Sequence, residues 1–145
     1  AEETIALGRK IAARLHGPML VLLKGDLGAG KTTLAKGIIS GLGAAREEDV
    51  TSPTFTLVHA FSNSERTGEK VYHVDLYRVE GTQELESLAL EDILSEPCIA
   101  IVEWSERLTL RTAWPLVHVE LQHGGGEQRR IRISGLPGQE DGSQV

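Results

Sequence analysis

The sequence has very little cysteine and no long apolar run. Cys98 is the one cysteine among 145 residues, which excludes an internal disulfide and fits a reducing compartment. It lies within an apolar stretch, so buried packing is favoured over a reactive thiol. No N-terminal segment is typical of a signal peptide, and no apolar run approaches the roughly 20 residues of a membrane span. We therefore expect a soluble, cytoplasmic protein with no membrane contact and no disulfide partner.

The chain also lacks an excess of basic residues. It has 15 Lys and Arg against 21 Asp and Glu, a formal net charge of −6. Broad unaided binding to nucleic acid normally needs a basic surface, so any RNA would be held through a partner. The five histidines show no metal-ligand spacing, and no internal repeat is visible.

Apolar periodicity predicts alternating helices and strands. Near-continuous apolar runs at 19–23 and 98–102 are typical of buried parallel strands. Apolar residues at helical spacing predict one helix that Thr4 caps, a second after residue 30, and a third that Thr82 caps.

Two antiparallel hairpins are also predicted. Strand-like runs at 56–61 and 71–77 flank a polar turn, and those at 116–119 and 130–133 flank a glycine-rich one. We expect the second hairpin to extend the sheet antiparallel.

The strongest motif lies between the first strand and the second helix. Residues 25–32 match G-x-x-x-x-G-K-[ST] in every fixed position, which is the phosphate-binding loop, or Walker A motif. The glycines let backbone N–H groups point inward at a polyphosphate, at the positive end of a helix. Lys31 would add charge at the outer phosphates, and the Thr32 hydroxyl would ligate Mg²⁺. The predicted nucleotide contacts from this motif are Asp26, Leu27, Gly28, Ala29, Gly30, Lys31, Thr32 and Thr33.

The strand at 98–102 ends in Glu103 and Trp104. An acid that closes an apolar strand is typical of a Walker B strand, whose acid holds Mg²⁺ through water. In parallel sheets ligands bind at this carboxyl end of the strands. We therefore predict that Glu103 lies near the metal.

Two further segments have open interpretations. Residues 50–58 combine Pro53 with a high density of hydroxyl groups that includes Thr54. They fit either an edge strand or a switch-like loop that meets the γ-phosphate or its Mg²⁺. Asp75 ends a strand on the same face as His73. It fits either a ligand-facing acid or an aspartate that caps a loop.

Together these features predict an α/β, P-loop NTPase-like three-layer fold. Its central sheet would be mostly parallel with added antiparallel strands, and helices would cover its faces. Residues 1–134 would form one P-loop domain, and the polar, glycine-rich residues 135–145 a flexible C-terminal tail.

The combination of motifs resembles the TsaE (YjeE) family. The blocks that carry the resemblance follow the family's order: GDLGAGKTT at 25–33, SPTFTLV at 52–58, HVDLYR at 73–78 and VEW at 102–104. The phosphate loop is shared by many ATPases, whereas the second and third blocks are close to diagnostic. Phe55 departs from the family pattern, where Tyr is common; it keeps the ring and loses a hydroxyl.

The resemblance implies a bacterial ATPase that binds ATP and Mg²⁺. It implies a role in making threonylcarbamoyladenosine in tRNA together with TsaB and TsaD, which would supply the contact with tRNA. Position by position, it makes Lys31 and Thr32 nucleotide and metal contacts, and it assigns Thr54 to the switch-like segment. It makes Asp75 the essential acid, and it places Glu103 and Trp104 at the Walker B-like end.

The expected chemistry is ATP hydrolysis with Lys31, Asp75 and Glu103 as catalytic residues. One of the two acids would orient the attacking water, and the other would hold the metal that Thr32 also contacts. No lid insertion supplies an arginine, although Arg78 and Arg107 are candidates, so turnover would be slow until a partner stimulates it.

Three rival functions remain open at this stage. A small-molecule kinase would need an acceptor pocket and usually a mobile lid, and no long insertion is visible. A guanine-nucleotide switch would need an Asn-Lys-x-Asp motif, which the chain lacks. A nucleotide-dependent adaptor would bind ATP with little hydrolysis.

Overall fold

The computed structural model describes residues 2–25, 30–50, 58–75, 96–103, 114–123 and 129–137. Within these ranges the helices are α1 and α2, with a short 3₁₀ turn after α2. The strands are β1 to β6. The bounds are α1 Glu2–Ala12, β1 Met19–Gly25, α2 Lys31–Gly41, the 3₁₀ turn Glu47–Asp49, β2 Val58–Ala60, β3 Lys70–Asp75, β4 Cys98–Glu103, β5 Leu116–His123 and β6 Arg129–Ser134.

The described strands form one sheet in the order β2-β3-β4-β1-β5-β6. Its four inner strands are parallel, and β2 and β6 are antiparallel at the two edges. This confirms the predicted α/β fold with a mostly parallel sheet. The expected antiparallel placement of the second hairpin was wrong for β5, which pairs parallel with β1, and right for β6 alone.

Strands β1 and β4 occupy the middle of the sheet because they are apolar on both faces. Residues 19–23 of β1 and all of β4 are buried, as the near-continuous apolar runs predicted. Cys98, at the start of β4, is 1% exposed. Burial, and to a smaller extent the charge of Glu69, raises the pKa of its thiol from 9.0 to about 11, as expected for a group whose charged form is desolvated.

One face of the sheet is covered by α1 and α2, which touch at glycines. A Cβ on Gly37 would lie 2.3 Å from the carbonyl oxygen of Ile5, and one on Gly8 would lie 2.6 Å from that of Leu34. The two helix backbones therefore approach closely and bury Ile11, Leu34 and other residues of the main core. The second face carries a smaller apolar cluster that includes Leu20 and Val102.

The turn between β2 and β3 packs onto the ends of both helices. The Ser64 hydroxyl donates to the carbonyl of Leu42 at 2.6 Å, just beyond α2. The Arg66 guanidinium donates to the carbonyls of Ala13 and Leu15, beyond α1. The orphan carbonyls at two helix C-termini are thereby satisfied by one polar loop.

The described C-terminal region packs onto the main core as far as Leu136, which is 8% exposed. Residues 138–145 of the predicted tail, and the helix predicted from Thr82, lie outside the described residues. In the ranges that the structure covers, neither helix has the length and apolar character needed to cross a membrane.

Candidate nucleotide and metal site

The start of α2 faces the carboxyl end of β1 across the glycine motif. Strand β1 ends at Gly25 and α2 begins at Lys31, preceded by Gly30 with a φ of 102°. This left-handed conformation costs glycine little and other residues more, which explains the glycine before the motif lysine. The strand before the motif and the helix after it are confirmed.

Gly25 is required by the neighbouring strand as well. A Cβ at this position would lie 2.3 Å from the carbonyl oxygen of Leu121 on β5, closer than any packing allows. The last residue of β1 therefore pairs with β5 at a position where only a hydrogen atom fits.

Lys31 is buried at the first position of α2. Its side chain is 8% exposed, and Nζ donates to the carbonyl oxygen of Gly25 at 2.8 Å. This contact joins the first residue of α2 to the last residue of β1. A buried ammonium group with a backbone acceptor is a fixed positive charge for an anionic ligand.

Thr32 and Glu103 are joined across the site. The Thr32 hydroxyl donates to Glu103 Oε1 at 3.0 Å, although 71 positions separate the two residues. Strand pairing explains the contact, because Leu23 near the end of β1 is in register with Glu103 at the end of β4. The predicted proximity of the Walker B-like acid to the phosphate-loop threonine is what the structure has.

Glu103 has a second partner in His73 of β3. His73 Nε2 lies in hydrogen-bond contact with Glu103 Oε2. His73 is fully buried, and Glu103 is 4% exposed. Each carboxylate oxygen of Glu103 therefore has its own partner, one on α2 and one on β3.

Asp75 reaches the same edge of the sheet through its backbone. It ends β3 in register with Glu103 at the end of β4, and adjacent strands are about 4.8 Å apart. The two acid positions are thus neighbours, as expected for a shared site, but the Asp75 side chain lies outside the described residues.

Several predicted contacts cannot be placed. Residues 26–29 of the phosphate loop lie outside the described residues, as do Thr54, Trp104, Arg78 and Arg107. Thr33 is half-buried in the first turn of α2, and its contact with phosphate stays a prediction.

Sequence reasoning missed the role of His73, although it placed this residue on one face with Asp75. The available signal was positional: on neighbouring parallel strands, a residue two places before the end lies near the last residue of the next strand. The strand order β3-β4-β1 was needed to use that signal, and the sequence did not supply it.

The residues present fit Mg²⁺. A hydroxyl and a carboxylate 3.0 Å apart offer two oxygen donors, and Mg²⁺ is usually held by one or two protein oxygens, with water and substrate phosphates filling the remaining positions. Within the described part of the chain, no group of three or more His, Cys, Asp or Glu side chains is arranged around a metal position.

Comparison with known proteins identifies the family. The family described as threonylcarbamoyl adenosine biosynthesis protein TsaE matches residues 1–131. The chain is 39% identical over 137 residues to the tRNA threonylcarbamoyladenosine biosynthesis protein TsaE of Nostoc sp., covering 92% of this chain and 80% of that protein. It is 33% identical over 135 residues to the protein of the same name from Bacillus subtilis, with coverages of 93% and 81%.

Two other matches agree with these. The Haemophilus influenzae protein of that name is 40% identical over 108 residues, which cover 71% of this chain and 65% of that protein. The crystal structure of Bacillus subtilis YdiB superposes with a TM-score of 0.68 at 28% identity, covering 93% of this chain and 80% of that one. Sequence and fold agree, and the chain belongs to the TsaE family of tRNA threonylcarbamoyladenosine biosynthesis proteins.

Proposed function

We propose that this protein is a Mg²⁺-dependent ATPase that acts with TsaB and TsaD in the threonylcarbamoyladenosine modification of tRNA. The observation that carries the proposal is the Thr32–Glu103 hydrogen bond, beside a buried lysine at the start of α2. A lysine and a hydroxyl at a helix N-terminus, together with an acid at a strand end, are the groups that typically bind and hydrolyse a nucleoside triphosphate.

Each described residue has a distinct task in this proposal. Lys31 places its ammonium group against the outer phosphates and offsets charge that develops during phosphoryl transfer. Thr32 and Glu103 hold the metal side of the site, Thr32 through its hydroxyl and Glu103 through water. When bound, Mg²⁺ supplies charge neutralisation at the phosphate oxygens.

Asp75 is the proposed partner of Glu103 in handling the attacking water. The two positions are in register at the ends of β3 and β4, so one acid can orient water while the other serves the metal. The hydrogen bond that Glu103 accepts from Thr32, the other proposed metal contact, favours the metal role for Glu103. Asp75 is then the residue that orients water.

The test is phosphate release from ATP, measured with and without a purified complex of TsaB and TsaD. We expect slow release by the protein alone and clear stimulation by the complex, because the sequence contains no lid insertion that would bring an arginine to the transition state. Absence of both stimulation and binding would contradict the role with these partners.

Variants at the two acids separate hydrolysis from binding. Glu103→Ala should retain ATP binding in EDTA and lose stimulated hydrolysis, whereas an adaptor that only binds nucleotide would keep its function. Asp75→Asn should lose hydrolysis with little change in Mg²⁺ dependence. Screening alcohol and amine acceptors for ATP-dependent phosphorylation tests the kinase alternative.

A further inference from the structure

His73 is placed at the site without a role in the proposed chemistry. Its ring is fully buried on β3, and its Nε2 contacts Glu103 Oε2. The Nδ1 atom of the same ring is buried and meets no hydrogen-bond partner among the residues that the structure describes. Because His73 is buried and one of its ring nitrogens contacts Glu103, its position needs a physical explanation.

The chemistry of the contact fixes its direction. An ionised carboxylate only accepts hydrogen bonds, so His73 Nε2 carries the hydrogen and donates it to Glu103. Thr32 donates to the other oxygen, Oε1.

The position of His73 is fixed by the sheet. Val71, on the same strand and the same face, is fully buried in the main core. His73 itself is in register with Ile101 of β4, two residues before Glu103. The imidazole therefore reaches from β3 to the carboxylate at the end of β4. The backbone of His73 is held by the pairing of β3 with β4 and cannot shift without disturbing both strands.

We propose that His73 is a positioning residue that fixes the rotamer of Glu103, so that Oε2 is held by the protein and Oε1 faces the metal side of the site. This inference depends on the proposed function, since it assigns Glu103 to Mg²⁺. Outer-layer hydrogen bonds that orient the groups around a metal are typically worth about 10- to 100-fold in metal affinity. His73 acts through Glu103.

The experiment measures Mg²⁺ dependence by equilibrium binding, without turnover. Binding of a fluorescent ATP analogue is followed as Mg²⁺ is titrated, and again in EDTA. For His73→Leu we expect the half-saturating Mg²⁺ concentration to rise about tenfold or more, with analogue affinity in EDTA unchanged. An unchanged half-saturating concentration would overturn the proposal.

Two conservative variants separate the hydrogen bond from the packing. The side-chain amide nitrogen of His73→Gln can occupy the place of Nε2, whereas that of His73→Asn reaches only the place of Nδ1. His73→Gln should restore Mg²⁺ dependence to within about threefold of wild type, and His73→Asn should behave like His73→Leu. Equal behaviour of the Gln and Asn variants would overturn the proposal even if His73→Leu fails to fold.

A double variant tests whether His73 acts through Glu103. In a Glu103→Gln background, His73→Leu should have no further effect on Mg²⁺ dependence, because the residue that it orients has lost its charge. An equal fold-change in both backgrounds would show that His73 acts independently and would contradict the inference.

The matched control is His59→Leu. His59 is in register with His73 on the adjoining strand β2 and should leave Mg²⁺ dependence unchanged. Failure of the wild-type protein to bind the analogue at all would contradict the proposed function, and this inference with it. Wild-type binding that depends on Mg²⁺, combined with an unaffected His73→Leu variant, would contradict the inference alone.

Discussion

At the scale of single residues, Lys31 is the side chain that the proposed function assigns to the phosphates of the nucleotide. Its Nζ is held 2.8 Å from the carbonyl oxygen of Gly25, so the charge is in place before a ligand arrives. Little ordering is then required on binding, which favours affinity.

Lys31→Ala should weaken ATP binding by about 10- to 100-fold, the equivalent of roughly 1.5–3 kcal/mol for hydrogen bonds to a charged group. Isothermal titration with ATP and Mg²⁺ measures the change. Lys36→Ala, in the same helix but away from its N-terminus, is the matched control. Similar affinities for the two variants would argue against a phosphate contact by Lys31.

Cys98 gives a residue-scale prediction for pH. Its pKa is raised from 9.0 to about 11 in the folded protein, so its thiol binds a proton more tightly in the folded state than in the unfolded state. Its contribution to the free energy of unfolding is complete below about pH 9 and is lost as pH rises through about 11.

Urea unfolding of wild type and Cys98→Val at pH 8 and pH 10.5 isolates this contribution, because other groups titrate equally in both proteins. Wild type should lose more stability than the variant over this interval. Equal losses would show that the thiol ionises as readily in the folded protein as in the unfolded chain.

At the scale of elements, the contact between α1 and α2 reverses an ordinary rule. Replacing glycine by alanine within a helix normally stabilises it by about 0.5–1 kcal/mol. In Gly37→Ala the new Cβ would lie 2.3 Å from Ile5 O and 3.0 Å from Gly8 Cα, so the helices must separate.

We expect Gly37→Ala to destabilise the protein by about 1–3 kcal/mol, as overpacking does in cores. Urea unfolding measures the loss, with Ser40→Ala, in the last turn of α2, as the control expected within about 0.5 kcal/mol of wild type. A stabilised Gly37→Ala variant would mean that the helix interface yields at little cost.

The elements differ in how far the sequence could predict them. Strands β1 and β4 and both hairpins were predicted because apolar runs and turn residues are local signals. Thr4 was expected to cap α1 but lies inside a helix that already includes Glu2. The parallel direction of β5 and the glycine contacts of α1 with α2 depend on distant neighbours, which local patterns do not contain.

The residues of the candidate site show the same difference between local signals and distant neighbours. The closeness of Thr32 and Glu103 could be predicted because a motif fixes the threonine and a strand end fixes the acid; the roles of Lys31, Thr32 and Glu103 stay predictions. His73 was missed because its role depends on β3 lying beside β4. The contacts of Ser64 and Arg66 with helix carbonyls depend likewise on a loop that folds back over more than 20 residues.

At the scale of the whole molecule, the acidic balance of the chain constrains how it meets RNA. A net charge of −6 opposes direct association with a polyanion. The proposed division of labour, in which partners hold tRNA and this protein handles nucleotide, agrees with that balance.

Nucleotide binding should stabilise the entire domain. At a free concentration 100 times the Kd, the gain is about 2.7 kcal/mol, which raises the melting temperature of a domain of this size by about 5–10 °C. Thermal melts with ATP and Mg²⁺, with ATP in EDTA, and with Mg²⁺ alone test this. The full shift should need both ligands, and a shift as large with ATP in EDTA would contradict the metal role of Thr32 and Glu103.

Strand β1 lies between β4 and β5, paired on both sides, and its central residues are almost wholly shielded from solvent. Amides in such a strand exchange with deuterium only when the entire domain opens. Protection of these amides against exchange would therefore report the free energy of global opening. A ligand bound beyond Gly25 would slow the exchange of these amides without contacting them.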